Sequence, residues 1–105
     1  MPKFVFAYFG RPNFANEEEG SAHMQEWRDW LAGLGETVVD PGMPIAPGTT
    51  ISANGISEGN SGPSSLSGIT VVDAPSMERA EEMARTCPHL GGTRLIHIAP
   101  AMEMP

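Results

Sequence analysis

The sequence predicts an α+β domain with elements in the order β-α-β-β-α-β, and three observations carry that prediction. Lys3-Phe4-Val5-Phe6-Ala7-Tyr8-Phe9-Gly10 is a strand-like run with no polar face. Two later stretches repeat apolar residues at helical spacing. Two further short runs, residues 67–73 and 93–99, contain β-branched residues in strand-like patterns.

Successive side chains of a strand alternate sides, so Phe4, Phe6 and Tyr8 point one way and Val5, Ala7 and Phe9 the other. Both faces of the sheet they join must therefore be covered. Arg11-Pro12-Asn13 ends the run. Asn16 followed by Glu17, Glu18 and Glu19 reads as a helix start, because Asn caps free N–H groups and acids suit the positive end of the helix dipole. Gly20 leaves the start open between there and Ser21. His23, Trp27, Trp30, Leu31 and Leu34 then share one side, with Gln25, Arg28, Asp29 and Ala32 opposite, until Gly33 and Gly35 end the helix.

Residues 36–40 are a short second strand, stopped by Pro41-Gly42. A Pro-, Gly- and Ser-rich insertion at about 41–65 follows, too long for plain loop in a compact domain. Residues 49–52 and 56–58 around Asn54-Gly55 suit a small hairpin within it. After the strand at 67–73, Ser76 caps a second helix whose stripe is Met77, Ala80, Ala84 and Cys87, with Met83 at its edge and Pro88 as its stop. In the last strand Leu95 takes one face and Ile96 and Ile98 the other.

This order, in one domain spanning 1–105, predicts a ferredoxin-like sandwich: an antiparallel sheet with both helices on one face. The first and last strands are expected as neighbours at the sheet centre. No helix is left for the second face, so a homodimer packed sheet against sheet is expected.

Composition narrows the function. Six basic against thirteen acidic residues give a net charge of −7, without a basic run, which argues against nucleic acid or an anionic membrane as partner. No apolar stretch approaches the roughly 18 residues of a membrane span, and no leader pattern is present, so a cytoplasmic protein is expected. A single cysteine leaves no intramolecular disulfide and is compatible with a reducing compartment.

His23 is the sharpest candidate for chemistry. It shares the inward stripe of Trp27 and Leu31, where partial burial and the positive helix end disfavour its charged form. A neutral imidazole can act as a general base or accept a hydrogen bond, whereas a structural histidine would be satisfied by a backbone carbonyl. Cys87 lies on an inward stripe and reads first as a small hydrophobe. Tyr8 offers a phenol to a cleft or packs in the core. Asp40 and Asp73 end strands, where aspartate commonly serves turns. His97 alternates with Leu95, on a sheet face at the expected dimer interface, and His89 falls in a loop. His23 with His97 and an acid lacks the short ligand spacing of zinc motifs, so neither metal nor cofactor is expected.

Five stretches together resemble the YCII-related family, including its DGPF-type branch, of the dimeric α+β-barrel group. They are Tyr8-Phe9-Gly10, His23-Met24-Gln25-Glu26-Trp27, Gly42-Met43-Pro44-Ile45, Ser61-Gly62-Pro63, and residues 80–88. The resemblance implies a small homodimer, mostly of unassigned reaction. A few relatives process lactones, with a His–Asp pair handling protons. The family histidine falls on His23, and the family aspartate on Cys87 before Pro88. The DGPF motif is reduced to Ser61-Gly62-Pro63-Ser64. Two functions are therefore expected: proton transfer on a lactone or similar small carbonyl compound with His23 as general base, or a non-catalytic small-ligand-binding or regulatory dimer. Tyr8, Cys87 and Pro44 are the candidate ligand-contacting residues.

Overall fold

The computed structural model describes residues 1–59 and 64–103. Its elements are β1 (Lys3–Phe9), α1 (Glu17–Leu34), a single 3-10 turn (Gly35–Thr37), β2 (Val38–Asp40), β3 (Thr50–Ser52), β4 (Gly55–Ser57), β5 (Leu66–Asp73), α2 (Met77–Ala84) and β6 (Leu95–Pro100). The protein is α+β: two helices against an antiparallel sheet of order β2-β5-β1-β6. The motif Ser61-Gly62-Pro63 lies outside the described residues.

Local chemistry explains the helix ends. Asn16 Oδ1 accepts the N–H of Glu19 at 2.9 Å, and Glu19 Oε1 returns to the N–H of Ala15 at 3.2 Å. This reciprocal cap starts α1 at Glu17, so Gly20 lies inside the helix rather than before it. In α2 the Ser76 hydroxyl accepts the N–H of Arg79 at 3.1 Å. That helix stops at Ala84, short of Cys87, whose own N–H closes a tighter turn onto the Ala84 carbonyl at 3.0 Å. Cys87 therefore sits in a turn and not on a helical stripe, and Met83 is core rather than edge.

β1 lies between β5 and β6, with Phe6 opposite both Thr70 and Ile98. The centre of the sheet is thus β5–β1. β6 pairs with β1 as expected but forms an edge, since among the described residues no strand pairs with its far side.

One sheet face carries the core. Phe4, Phe6, Tyr8 and Val72 meet Trp30 of α1 and Ala80, Met83 and Ala84 of α2, with Cys87 beside them. Fully buried Phe6 and Val72 each stabilise the fold by about 1.5–3 kcal/mol. The Trp30 indole N–H is shared between the Met83 carbonyl at 3.2 Å and the Thr86 hydroxyl at 3.1 Å, which ties α1 to the end of α2.

Among the described residues no helix packs on the opposite face. Val5, Ala7, Phe9, Val71 and Ala99 are half-buried there, while Ile69 and Leu95 are 43 % and 49 % exposed. His97, opposite Ala7, shares this face. In the insertion, β3 and β4 form a separate hairpin with Ile51 opposite Ile56, both exposed. Among the described residues no helix is long and apolar enough to cross a membrane.

Candidate functional site

An open cleft of about 450 Å³ lies between α1 and residues 41–45, within the range of roughly 300–1,000 Å³ that small-molecule sites occupy. Phe14, His23, Met24, Trp27, Arg28 and Leu31 line the helical side. Pro41, Gly42, Met43, Pro44 and Ile45 line the other, and Tyr8, Arg11, Gly68, Thr70 and His89 are among the remaining lining residues.

The helical side follows from periodicity. His23, Trp27 and Leu31 recur every fourth residue on one stripe of α1. Trp27 meets the Tyr8 ring edge-on at 5.0 Å and Trp30 at 5.5 Å, which fixes the indole between sheet and helix.

The other side is held by backbone bonds. Asp40 Oδ1 accepts the N–H of Gly42 at 2.8 Å, closing an Asx turn in which Gly42 takes φ +72°. A Cβ at that position would overlap the Ile69 carbonyl oxygen, so the approach of this turn to β5 requires glycine. The Thr70 hydroxyl donates to the Pro41 carbonyl at 3.0 Å, and the N–H of Ile45 to the Ser67 carbonyl at 3.0 Å. Arg11 completes the clasp: its guanidinium donates to the Ser65 hydroxyl at 3.1 Å and to the carbonyls of Ile45 and Leu66 at 2.6 and 3.1 Å.

The tautomer of His23 follows from its neighbour. The Trp27 indole N–H is only a donor, and it meets His23 Nε2 at 3.0 Å. Nε2 therefore carries a lone pair, and the neutral ring bears its proton on Nδ1. Among the described residues no side chain or carbonyl takes that Nδ1–H, and no carboxylate is hydrogen-bonded to the ring. Burial lowers the His23 pKa, the Arg94 charge lowers it further, and Glu26 partly opposes them.

His89 has the reverse arrangement. Its Nε2 lies 2.9 Å from the Phe9 carbonyl, which can only accept, so Nε2 carries the proton. His89 is 3 % exposed, and its ring packs against Tyr8 at 5.3 Å. Burial is the main cause of its lowered pKa, against the raising effect of the Phe9 hydrogen bond.

The Tyr8 hydroxyl donates to Thr70 Oγ1 at 2.7 Å. Burial raises its pKa well above the ordinary phenol range, and the bond to Thr70 offsets only part of this. Burial also pushes the Cys87 thiol up to about 12, against the smaller lowering influence of the neighbouring His89 backbone and Tyr8. Burial thus favours the neutral form of both groups at neutral pH.

Of the residues singled out by sequence, His23, Tyr8 and Pro44 come together around the cleft, while Cys87 lies in the core behind Tyr8 and does not line it. Asp40 serves the Gly42 turn and Asp73 pairs with Lys3 at 3.1 Å, so neither meets His23. His23 and His97 lie on opposite sides of the sheet, and the described residues contain no cluster of three potential metal-ligating side chains. Four lining residues escaped sequence reasoning: Arg11, Thr70, His89 and Arg28, which helical spacing puts on the side opposite His23 but which borders the cleft. Nothing distinguishes His89 from an exposed loop residue in the sequence. Arg11, a basic residue directly after an apolar strand, carries the one readable signal.

No family model matches this chain, and no curated protein matches it.

Proposed function

We propose that this chain is a YCII-type homodimer of ferredoxin-like protomers that binds a small organic molecule in the cleft beside His23. The observation that carries the reading is the His23–Trp27 hydrogen bond. With Nε2 occupied by the indole N–H, the imidazole presents Nδ1–H as a donor, suited to a carbonyl or carboxylate oxygen of a ligand. The apolar lining takes the body of the molecule, and few polar groups orient it, as in small-molecule sites generally. Dimerisation is supported by the uncovered sheet face, where Ile69 and Leu95 stand exposed among half-buried Val5, Phe9 and Val71.

A second reading, proton transfer with His23 as base, is favoured by one observation: the lowered pKa keeps the ring neutral at pH 7. It requires Trp27 to release Nε2 during the reaction. One experiment addresses both. Small aromatic carbonyl compounds are titrated into the wild-type dimer and His23→Ala, following tryptophan fluorescence and turnover, with mass checked by sedimentation. Binding is expected to weaken by roughly three- to tenfold in His23→Ala, the value of one lost hydrogen bond. Equal binding by both proteins removes the His23 role. Turnover lost in the variant while binding persists selects the enzymatic reading. A monomeric wild type at micromolar concentration ends the dimer proposal.

A further inference from the structure

Charge is distributed unevenly around the cleft. Acids outnumber bases by about two to one in the chain, thirteen against six. Yet among the described residues no Asp or Glu lines the cleft, whereas Arg11, Arg28, His23 and His89 all do. The nearest acid acting on His23, Glu26, is not among the lining residues.

The two cations are not neutralised by carboxylates. Arg11 donates to a hydroxyl and two backbone carbonyls, none of which carries a formal charge. Arg28 is exposed and reaches only the Gln25 side-chain oxygen, at 3.5 Å. Neither takes part in the ion pairs of the described residues, which join Lys3 to Asp73 and Arg79 to Glu82. Arg94 adds to the same field, since its charge lowers the pKa of both cleft histidines. A concave, low-dielectric lining concentrates such a potential and raises the local concentration of ions of opposite sign.

We propose that the cleft selects a small organic anion with an aromatic or apolar body and one carboxylate, the body lying among Trp27, Leu31 and Pro44 and the carboxylate meeting the Arg28 guanidinium and the Nδ1–H of His23. This rests on the cleft being a small-molecule site and goes beyond it by assigning the ligand's charge. Arg28 is the residue whose donors are free for the task. Arg11 supplies charge from a fixed position, since its fork already holds residues 45, 65 and 66 in place. A guanidinium matches a carboxylate in two parallel hydrogen bonds, and an imidazole N–H can take the remaining oxygen lone pair. An ammonium-bearing ligand of the same shape would meet only like charge.

The test compares probes of similar size and shape and different charge: benzoate with benzamide, naphthoate with naphthamide, and naphthylmethylammonium as the cation. Each is titrated calorimetrically into the wild-type protein, Arg28→Gln and Arg28→Lys, with thermal melts confirming that these exposed substitutions leave the fold intact. The expected result is a preference of about tenfold for carboxylate over amide, the scale of one charge-assisted hydrogen bond. Arg28→Gln should bring that ratio near one, Arg28→Lys should keep part of it, and added salt should erode it. Equal binding of carboxylate and amide overturns the anion assignment but leaves the cleft reading standing. A preference untouched by Arg28→Gln overturns the role of Arg28. Binding of none of the probes overturns the cleft reading itself.

Discussion

The two walls of the cleft are built on opposite plans. The α1 wall presents side chains, with His23, Trp27, Arg28 and Leu31 reaching the ligand space from a capped helix and Phe14 from just before it. The wall at residues 41–45 is exposed and irregular, yet its backbone is anchored at Pro41, Gly42 and Ile45 through Thr70, Asp40, Ser67 and Arg11. One wall carries the chemistry and the other carries the shape. The difference teaches that a loop of low local packing can be as well defined as a helix when its polar groups are individually satisfied.

The comparison breaks most severely at Gly42. Gly42→Ala places a methyl group where the Ile69 carbonyl oxygen stands and forces an L-residue to φ +72°. The turn must move off β5, releasing the Thr70–Pro41 hydrogen bond and the Asx turn together. A loss of about 2–4 kcal/mol in stability is expected from strain combined with unmade hydrogen bonds. Urea denaturation measures it. Retention of wild-type stability would show that the wall is soft, and that shape does not come from this side.

The same contrast decides what could be read beforehand. The α1 wall was legible because helical spacing assigns faces, and His23, Trp27 and Leu31 lie where that spacing puts them. The apolar alternation of β1 likewise separated Phe4, Phe6 and Tyr8 from Val5, Ala7 and Phe9, though only the structure shows that the first set faces the helices. The loop wall was not legible. Its contacts join residues far apart in sequence, such as Arg11 to Ile45 and Thr70 to Pro41, and no local period encodes them. Cys87 was misplaced for a related reason: the helix ended one turn early, and the residue moved from a stripe into a turn. His89 was hidden because its burial depends on the Phe9 carbonyl, a partner across the sheet edge.

His89 lies between the two walls, and acid should act through it. In the folded protein its pKa is lowered from 6.5, as is that of His23, while the unfolded chain keeps values near 6.5. Below that value the unfolded state binds more protons than the folded one, so stability falls as pH drops from 6.5 toward the folded pKa values, then levels. Above 6.5 both states are neutral at these positions and the contribution is complete. The melting temperature is therefore expected to decline between about pH 7 and about pH 5, where histidine is the side chain that titrates. His89→Gln keeps a donor for the Phe9 carbonyl but cannot charge, so its curve should be flatter than that of the wild type. Parallel curves for the two proteins would show that His89 protonates without leaving its buried place.

The smallest expected effect tests the chemistry of the helical wall alone. Trp27→Phe keeps an aromatic ring against Tyr8 and Trp30 but removes the indole N–H from His23 Nε2. That bond favours the neutral ring with its proton on Nδ1, so its loss should raise the His23 pKa. A partly exposed hydrogen bond is worth about 0.5–1 kcal/mol, which corresponds to roughly half a pH unit. Shrinking the side chain also admits water, which pushes the pKa in the same direction, so the pKa alone cannot separate the two causes. The tautomer can. Nitrogen NMR of the imidazole should find the proton on Nδ1 in the wild type and a shift toward Nε2 in Trp27→Phe, because only a donor aimed at Nε2 enforces the first arrangement. An Nε2-protonated ring in the wild type would mean that the indole bond does not hold in solution. Nδ1 would then be a lone pair facing the cleft, and His23 would accept a proton from a ligand instead of donating a hydrogen bond to one.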